Sequence, residues 1–126
     1  MNSHYWWQVI IPKTTSLRTI QDFEILKENG RRRKILPWVL VSFMFNKLGY
    51  HRLGVTASKK IGSAVMRNRL KRWCRNYLRQ NHPKSDRTYD FNVIFLPQNT
   101  KTNREFYQTR KYSEFKQSMD ELFKVL

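Results

Sequence analysis

Residues 64–80, AVMRNRLKRWCRNYLRQ, decide how the chain is read. At about 100° per residue, Met66, Leu70, Trp73, Cys74, Tyr77 and Leu78 fall on one side of a helix. Asn68, Lys71, Arg72, Arg75 and Arg79 fall on the other. The apolar side needs a core to cover it. The basic side cannot be covered in the same way: an unpaired guanidinium or ammonium in an apolar interior costs several kcal/mol, and no acidic residue lies nearby in sequence to pair with it. One side of the helix therefore packs and the other meets water or phosphate.

The neighbouring segments supply the core. Upstream, Trp38 to Phe45 is β-branched and aromatic, and Gly49 in a short polar link before Arg52-Leu53-Gly54-Val55-Thr56 predicts a hairpin of antiparallel strands. Downstream, Tyr89 to Leu96 (YDFNVIFL) reads as another strand, closed by Pro97. Phe115, Met119, Leu122, Phe123 and Leu126 then mark the buried stripe of a C-terminal helix. Nearer the start, Leu17, Ile20, Phe23 and Leu26 recur every three residues, Thr19 and Asp22 can form an N-terminal cap, and Gly30 sits where a left-handed C′ residue belongs. Arg31 to Lys34 adds a short edge strand. Helix, strands, helix, strand, helix is the order of an α+β two-layer domain with helices against one sheet.

Net charge narrows the function. The chain has 126 residues with 40% hydrophobic and 14% aromatic, enough for one modest core, and 25 Lys and Arg against 9 acidic residues give a formal charge of +16. Acidic residues stop at Glu28 and resume at Asp86, while Arg31 to Lys84 holds fifteen of the cations. A solvated surface ordinarily mixes both signs, so this block points to a polyanionic partner, and nucleic acid is the obvious one. An anionic membrane is a weaker fit: no apolar run approaches the roughly 20 residues of a span, and Met1 to Pro12 lacks the basic and long apolar regions of a signal peptide. A cytoplasmic location is expected, and the lone Cys74, which excludes an intramolecular disulfide, agrees with a reducing compartment. No linker or repeat divides the chain, so residues 1–126 form one domain, with 1–16 as an N-terminal extension. The aromatic segment Tyr5 to Ile11 within it reads as a hydrophobic tail docked on the domain's own core.

Catalysis by the chain itself is not expected. His4, His51 and His82 are scattered in sequence and the carboxylates lie outside the basic block, so nothing gathers to hold metals or move protons. Arginine instead suits phosphate, which its planar fork grips in bidentate fashion. Lys59, Lys60, Arg67 and Arg69 extend the cationic surface around Gly62-Ser63, where the chain turns from strand into helix and presents backbone N–H groups suited to an anion. A duplex-DNA reader is disfavoured because the arginines span several turns instead of concentrating at one helix end.

Residues 52–72, RLGVTASKKIGSAVMRNRLKR, closely resemble the signature region of the bacterial ribonuclease P protein. The likeness is strong over the Arg67-Asn68-Arg69 core with its flanking Lys59-Lys60, Gly62 and Ala64-Val65. Weaker likeness runs from Leu17 and Asp22-Phe23 through Gly30 and the Trp38 to Phe45 strand to Asp90-Phe91-Asn92-Val93-Ile94-Phe95 and the final helix. The resemblance implies an α+β sandwich in the order α-β-β-β-α-β-α, with a mixed four-stranded sheet and a left-handed βαβ crossover, related to a fold seen in ribosomal proteins. It implies a subunit that carries no catalytic residues. Its partners would be the catalytic RNA of ribonuclease P, which holds the Mg²⁺ ions, and precursor tRNA, whose 5′ leader is removed. Lys59, Lys60, Arg67, Asn68, Arg69, Lys71, Arg72 and Arg75 would contact the catalytic RNA, and a cleft beside the first helix, with Phe23, Val41 and Phe43, would hold the leader, whereas by sheet spacing alone Phe23, Phe43 and the strand aromatics read as core. Two departures stand out: Lys27 and Val41 occupy positions where family members often carry aromatics, leaving fewer stacking faces for leader bases. A ribosomal or other structural RNA-binding protein shares the charge and the fold, and the 59–72 signature separates the two readings.

Overall fold

A computed structural model describes residues 14–98 and 103–126 of the chain. Five strands form one sheet: β1 (Thr14–Ser16), β2 (Arg31–Leu36), β3 (Val39–Asn46), β4 (His51–Thr56) and β5 (Thr88–Phe95), in the order β1-β4-β5-β3-β2. β2, β3 and β5 pair antiparallel, whereas β4 runs parallel to β5 and β1 parallel to β4. Parallel neighbours need a crossover, and α2 (Ala64–Gln80) supplies it between β4 and β5. The remaining helices are α1 (Ile20–Asn29), α3 (Asn103–Gln108) and α4 (Tyr112–Val125).

The main core lies between the sheet and the α2 and α4 side. Val39, Val41 and Phe43 of β3 stand opposite Phe95, Val93 and Phe91 of β5. Successive side chains on a strand alternate faces, so these six share one face and are all buried. From α2 come Met66, Leu70, Trp73, Cys74, Tyr77 and Leu78, and from α4 come Phe115, Met119, Leu122 and Phe123. Tyr77 Oη donates to Asp120 Oδ1 at 2.6 Å and Lys116 Nζ to Asp120 Oδ2 at 2.9 Å, which ties the two helices together. α1 lies on the opposite face: Leu17 and Leu26 are buried outside the main core, and the Phe23 ring sits against Gly54 of β4.

The α+β sandwich is as expected from the sequence, with two short additions and one correction: β3 and β4 run antiparallel but do not pair as the expected hairpin, because β5 lies between them and takes the ladder of both. β1 forms from the last three residues of the N-terminal extension, the rest of which, with its aromatic segment, lies outside the described residues. α3 precedes the final helix. The α1 cap is the expected capping box: Asp22 N–H donates to Thr19 Oγ1 at 3.1 Å and Thr19 N–H to Asp22 Oδ2 at 3.4 Å. Gly30 departs from expectation, since its φ of −79° is extended and not left-handed. A Cβ there would meet the Leu26 carbonyl oxygen and lie 2.8 Å from Leu26 Cδ1, so crowding explains this glycine. Gly49, at φ +82°, is the residue whose turn demands glycine.

Candidate nucleic-acid interface

The turn into α2 is anchored by Ile61, which is fully buried, and by Ser63, whose Oγ accepts from Met66 N–H at 3.3 Å. This anchoring leaves Lys59 and Lys60 exposed on the turn and Asn68, Arg72 and Arg75 exposed along the helix. Arg67, Arg69 and Lys71 are half-buried. Arg69 Nη2 donates to the Arg110 carbonyl at 3.1 Å, and its guanidinium lies 5.0 Å from the Trp73 ring centroid, so part of this side chain serves the fold. Arg67 Nε is buried without a hydrogen-bond partner among the described residues. None of these cations forms an ion pair among the described residues. The sequence-predicted basic residues thus come together on one turn and one helix.

Arg52, which opens the signature stretch, does different work. Its Nε and Nη2 grip the buried Asp90 at 2.9 and 2.7 Å, and its Nη1 reaches Asp22 at 3.3 Å. Asn46 Nδ2 donates to the same Asp90 at 2.8 Å. The Asp90 hydrogen bonds hold the Arg52 guanidinium above its ordinary range, and the Thr19 hydroxyl, with help from Arg52, holds Asp22 below its own. The first helix is clamped to the sheet through this arginine.

Between α1 and the sheet runs a cleft of about 450 Å³. Ile20, Phe23, Glu24, Leu26 and Lys27 line it from α1, Arg32 from β2, Leu40 and Ser42 from β3, Thr56 from β4, and Asn92 and Ile94 from β5. Most of the lining is apolar. Ser42 Oγ is buried without a partner among the described residues, and Asn92 Oδ1 accepts from Thr56 Oγ1 at 3.0 Å. Arg32 Nη2 donates to the Lys27 carbonyl at 3.4 Å, which places a cation at the β2 side of the cleft. At the β4 side the cleft reaches Thr56, three residues before Lys59.

Phe23 is in the cleft as the sequence predicted, but Val41 and Phe43 are not. Both belong to the main core on the opposite face of the sheet, with Val41 wholly buried and Phe43 6% exposed. Leu40 and Ser42 take the cleft positions, because a shift of one residue along a strand changes the face. Sequence reading missed Arg32, Ser42 and Asn92 as cleft residues. No sequence signal separated the two faces here, since Val39, Leu40 and Val41 are consecutively apolar.

The histidines are also less scattered than their spacing suggests. His51 is fully buried on β4, and its Nδ1 accepts from the Tyr89 backbone N–H at 3.0 Å. A neutral His51 therefore carries its proton on Nε2, 3.4 Å from His82 Nδ1, and His82 Nε2 in turn meets Asp86 Oδ1 at 2.8 Å. Burial, reinforced by His82, depresses the His51 pKa to about 4. His4 lies outside the described residues. Burial likewise raises the pKa of the Cys74 thiol, which is inert packing in the core.

Comparison with known proteins follows the same lines. The family model described as Ribonuclease P matches residues 11–126. A ribonuclease P protein component from Fusobacterium nucleatum is 35% identical over 107 residues, covering 79% of this chain and 93% of the relative. One from Desulforapulum autotrophicum is 31% identical over 115 residues, covering 91% of each. Among solved structures, the RNase P protein from Thermotoga maritima superposes with a TM-score of 0.69 at 29% identity, over 88% of this chain and 96% of that one. The Staphylococcus aureus RNase P protein, at 24% identity and a TM-score of 0.68, shares the fold.

Proposed function

Because this chain belongs to the ribonuclease P protein family, we propose that it joins the catalytic RNA through α2 and holds the precursor tRNA leader in the α1 cleft. The observation that carries this reading is the pairing of two unlike surfaces. One is a cationic turn and helix without ion-pair partners among the described residues, suited to the phosphates of a folded RNA. The other is a largely apolar cleft with one aromatic ring and a few polar atoms, suited to unpaired bases. Thr56 ends the cleft three residues before Lys59, so a strand leaving it can pass directly to the basic turn.

In this reading the protein contributes binding and orientation, and the Mg²⁺ ions that activate water belong to the RNA. Three of the carboxylates are already engaged within the fold. Asp22 and Asp90 are taken up by Arg52, and Asp120 by Tyr77 and Lys116. Among the described residues no three His, Cys, Asp or Glu side chains converge where they could hold a metal. No described helix is long and apolar enough to cross a membrane.

The test is reconstitution. Purified protein, a bacterial ribonuclease P RNA and a precursor tRNA are mixed at low Mg²⁺, and leader cleavage is compared with each component alone. Cleavage that requires the RNA and rises sharply with protein is expected. No stimulation across a salt and Mg²⁺ series would move the assignment to a structural RNA-binding protein. Phe23→Ala is expected to weaken binding of precursor about tenfold, as loss of one stacking face implies, and to spare mature tRNA. Equal losses for both would make Phe23 a packing residue only.

A further inference from the structure

A second cavity, of about 470 Å³, opens on the opposite side of the sheet from the leader cleft, at the end of α4. Its floor is aromatic: Phe45 and Tyr89 are cross-strand partners with ring centroids 6.4 Å apart. Phe45 is 45% exposed, and no other aromatic ring among the described residues is as open. The Arg87 guanidinium lies over the Phe45 ring, 5.3 Å from its centroid, so it must swing off that face for a base to stack there, and Arg31 lines the same cavity. Neither guanidinium makes a hydrogen bond or an ion pair among the described residues, and no Asp or Glu side chain lines the cavity; Leu126, which does, has its main-chain oxygen held by Ser85 N–H at 2.9 Å.

We infer that this cavity is a second site for single-stranded RNA, taking one unpaired nucleotide with its base on Phe45 and its phosphates at Arg31 and Arg87. A half-open ring is a stacking face for a base once Arg87 moves aside, and guanidiniums without an ion pair beside it select a phosphodiester over an apolar peptide. Edge strand β2 supplies the route. Arg32 lines the leader cleft and Arg31 lines the second cavity, so RNA crossing β2 meets a cation on each face. The inference rests on the reading of the chain as an RNA-binding protein and not on the leader lying in the cleft.

A short oligouridylate carrying 4-thiouridine is irradiated with the full chain, and crosslinked peptides are mapped by mass spectrometry. Crosslinks to the segments around Phe45 and Arg87, in addition to the cleft, are expected; crosslinks confined to the cleft would overturn the site. Phe45→Leu keeps an apolar contact with Tyr89 but removes the flat face, and Arg87→Ala removes an exposed cation. Each is expected to lower oligonucleotide affinity about tenfold with little change in melting temperature, and Phe45→Trp to preserve it. Unchanged affinity in both weakening variants would overturn the proposal. So would binding at Phe45 that appears only after residues 1–11 are removed, which would give the cavity to the chain's own Tyr5 to Ile11 segment. In the reconstituted complex, a Phe45→Leu defect that grows with leader length identifies the leader as the source of the nucleotide. A defect equal for all lengths and for mature tRNA identifies the partner RNA. The oligonucleotide assay needs no catalytic RNA, so a failed cleavage reconstitution would leave its result intact.

Discussion

At Gly54 the sheet makes room for a ring. A Cβ there would run into Phe23 Cε1, approach Phe23 Cζ to 2.6 Å and lie 3.2 Å from Leu17 Cδ1. Glycine inside a strand usually weakens it, but here it lets Phe23 lie against the backbone while still lining the cleft. Gly54→Ala is expected to destabilise the fold by about 1 to 3 kcal/mol and to weaken leader binding as the ring is displaced. Denaturant unfolding checks the first effect and precursor binding the second. An unchanged midpoint would mean that the ring moves aside without cost. Nothing in Arg52-Leu53-Gly54-Val55-Thr56 reveals that Phe23 is what approaches, because the neighbour comes from another element. The misplacement of Val41 and Phe43 has a similar origin. Leu40 and Val41 are both apolar, so the pattern does not say which face of β3 the first helix covers.

The α2 helix was readable from its own residues because its two demands, a buried stripe and a cationic face, are both written within a single period. All six apolar positions are buried as the spacing predicted. β1 and α3 were not readable in that way. Thr14–Ser16 is a strand only through its pairing with β4, and three polar residues have no informative alternation. α3 has six residues, too few to show a helical period, and forms where Tyr107 is buried with its hydroxyl donating to the Leu96 carbonyl. Within α2, cations with different surroundings should behave differently. Arg72→Ala, at an exposed position, is expected to reduce affinity for the catalytic RNA severalfold, more at low salt than at high salt, and to leave stability within about 0.5 kcal/mol. Arg69→Ala also loses the Arg110 carbonyl bond and the Trp73 contact, and is expected to cost about 1 kcal/mol of stability. Thermal melting beside filter binding separates the two. Unchanged RNA affinity for Arg72→Ala would remove the exposed face from the interface.

For the molecule as a whole, the Tyr89–His51–His82–Asp86 chain links global stability to pH. His51 has its pKa lowered from 6.5 to about 4, so in the folded state it stays neutral while the unfolded chain takes up a proton. Its contribution is complete above about pH 6.5, falls as pH drops, and is exhausted near pH 4. The total lost is about 3 kcal/mol. The expected result is a melting temperature that declines through this window and declines less in His51→Gln, whose amide can still accept from Tyr89 N–H. Parallel declines in both proteins would assign the acid sensitivity to other groups.

One consequence of the sheet's architecture concerns the protein before it meets RNA. β2 is a terminal strand with one flank unpaired, the kind of flank on which a second copy can add a strand. Arg31, Arg32, Arg33 and Lys34 are all exposed along it, so two such flanks repel as they approach. The charge that our proposal offers to nucleic acid therefore also acts as a guard against self-association. Fragmented or substoichiometric RNA would neutralise that guard without burying the strand, making a partly saturated mixture more prone to aggregate than either the free protein or the complete particle.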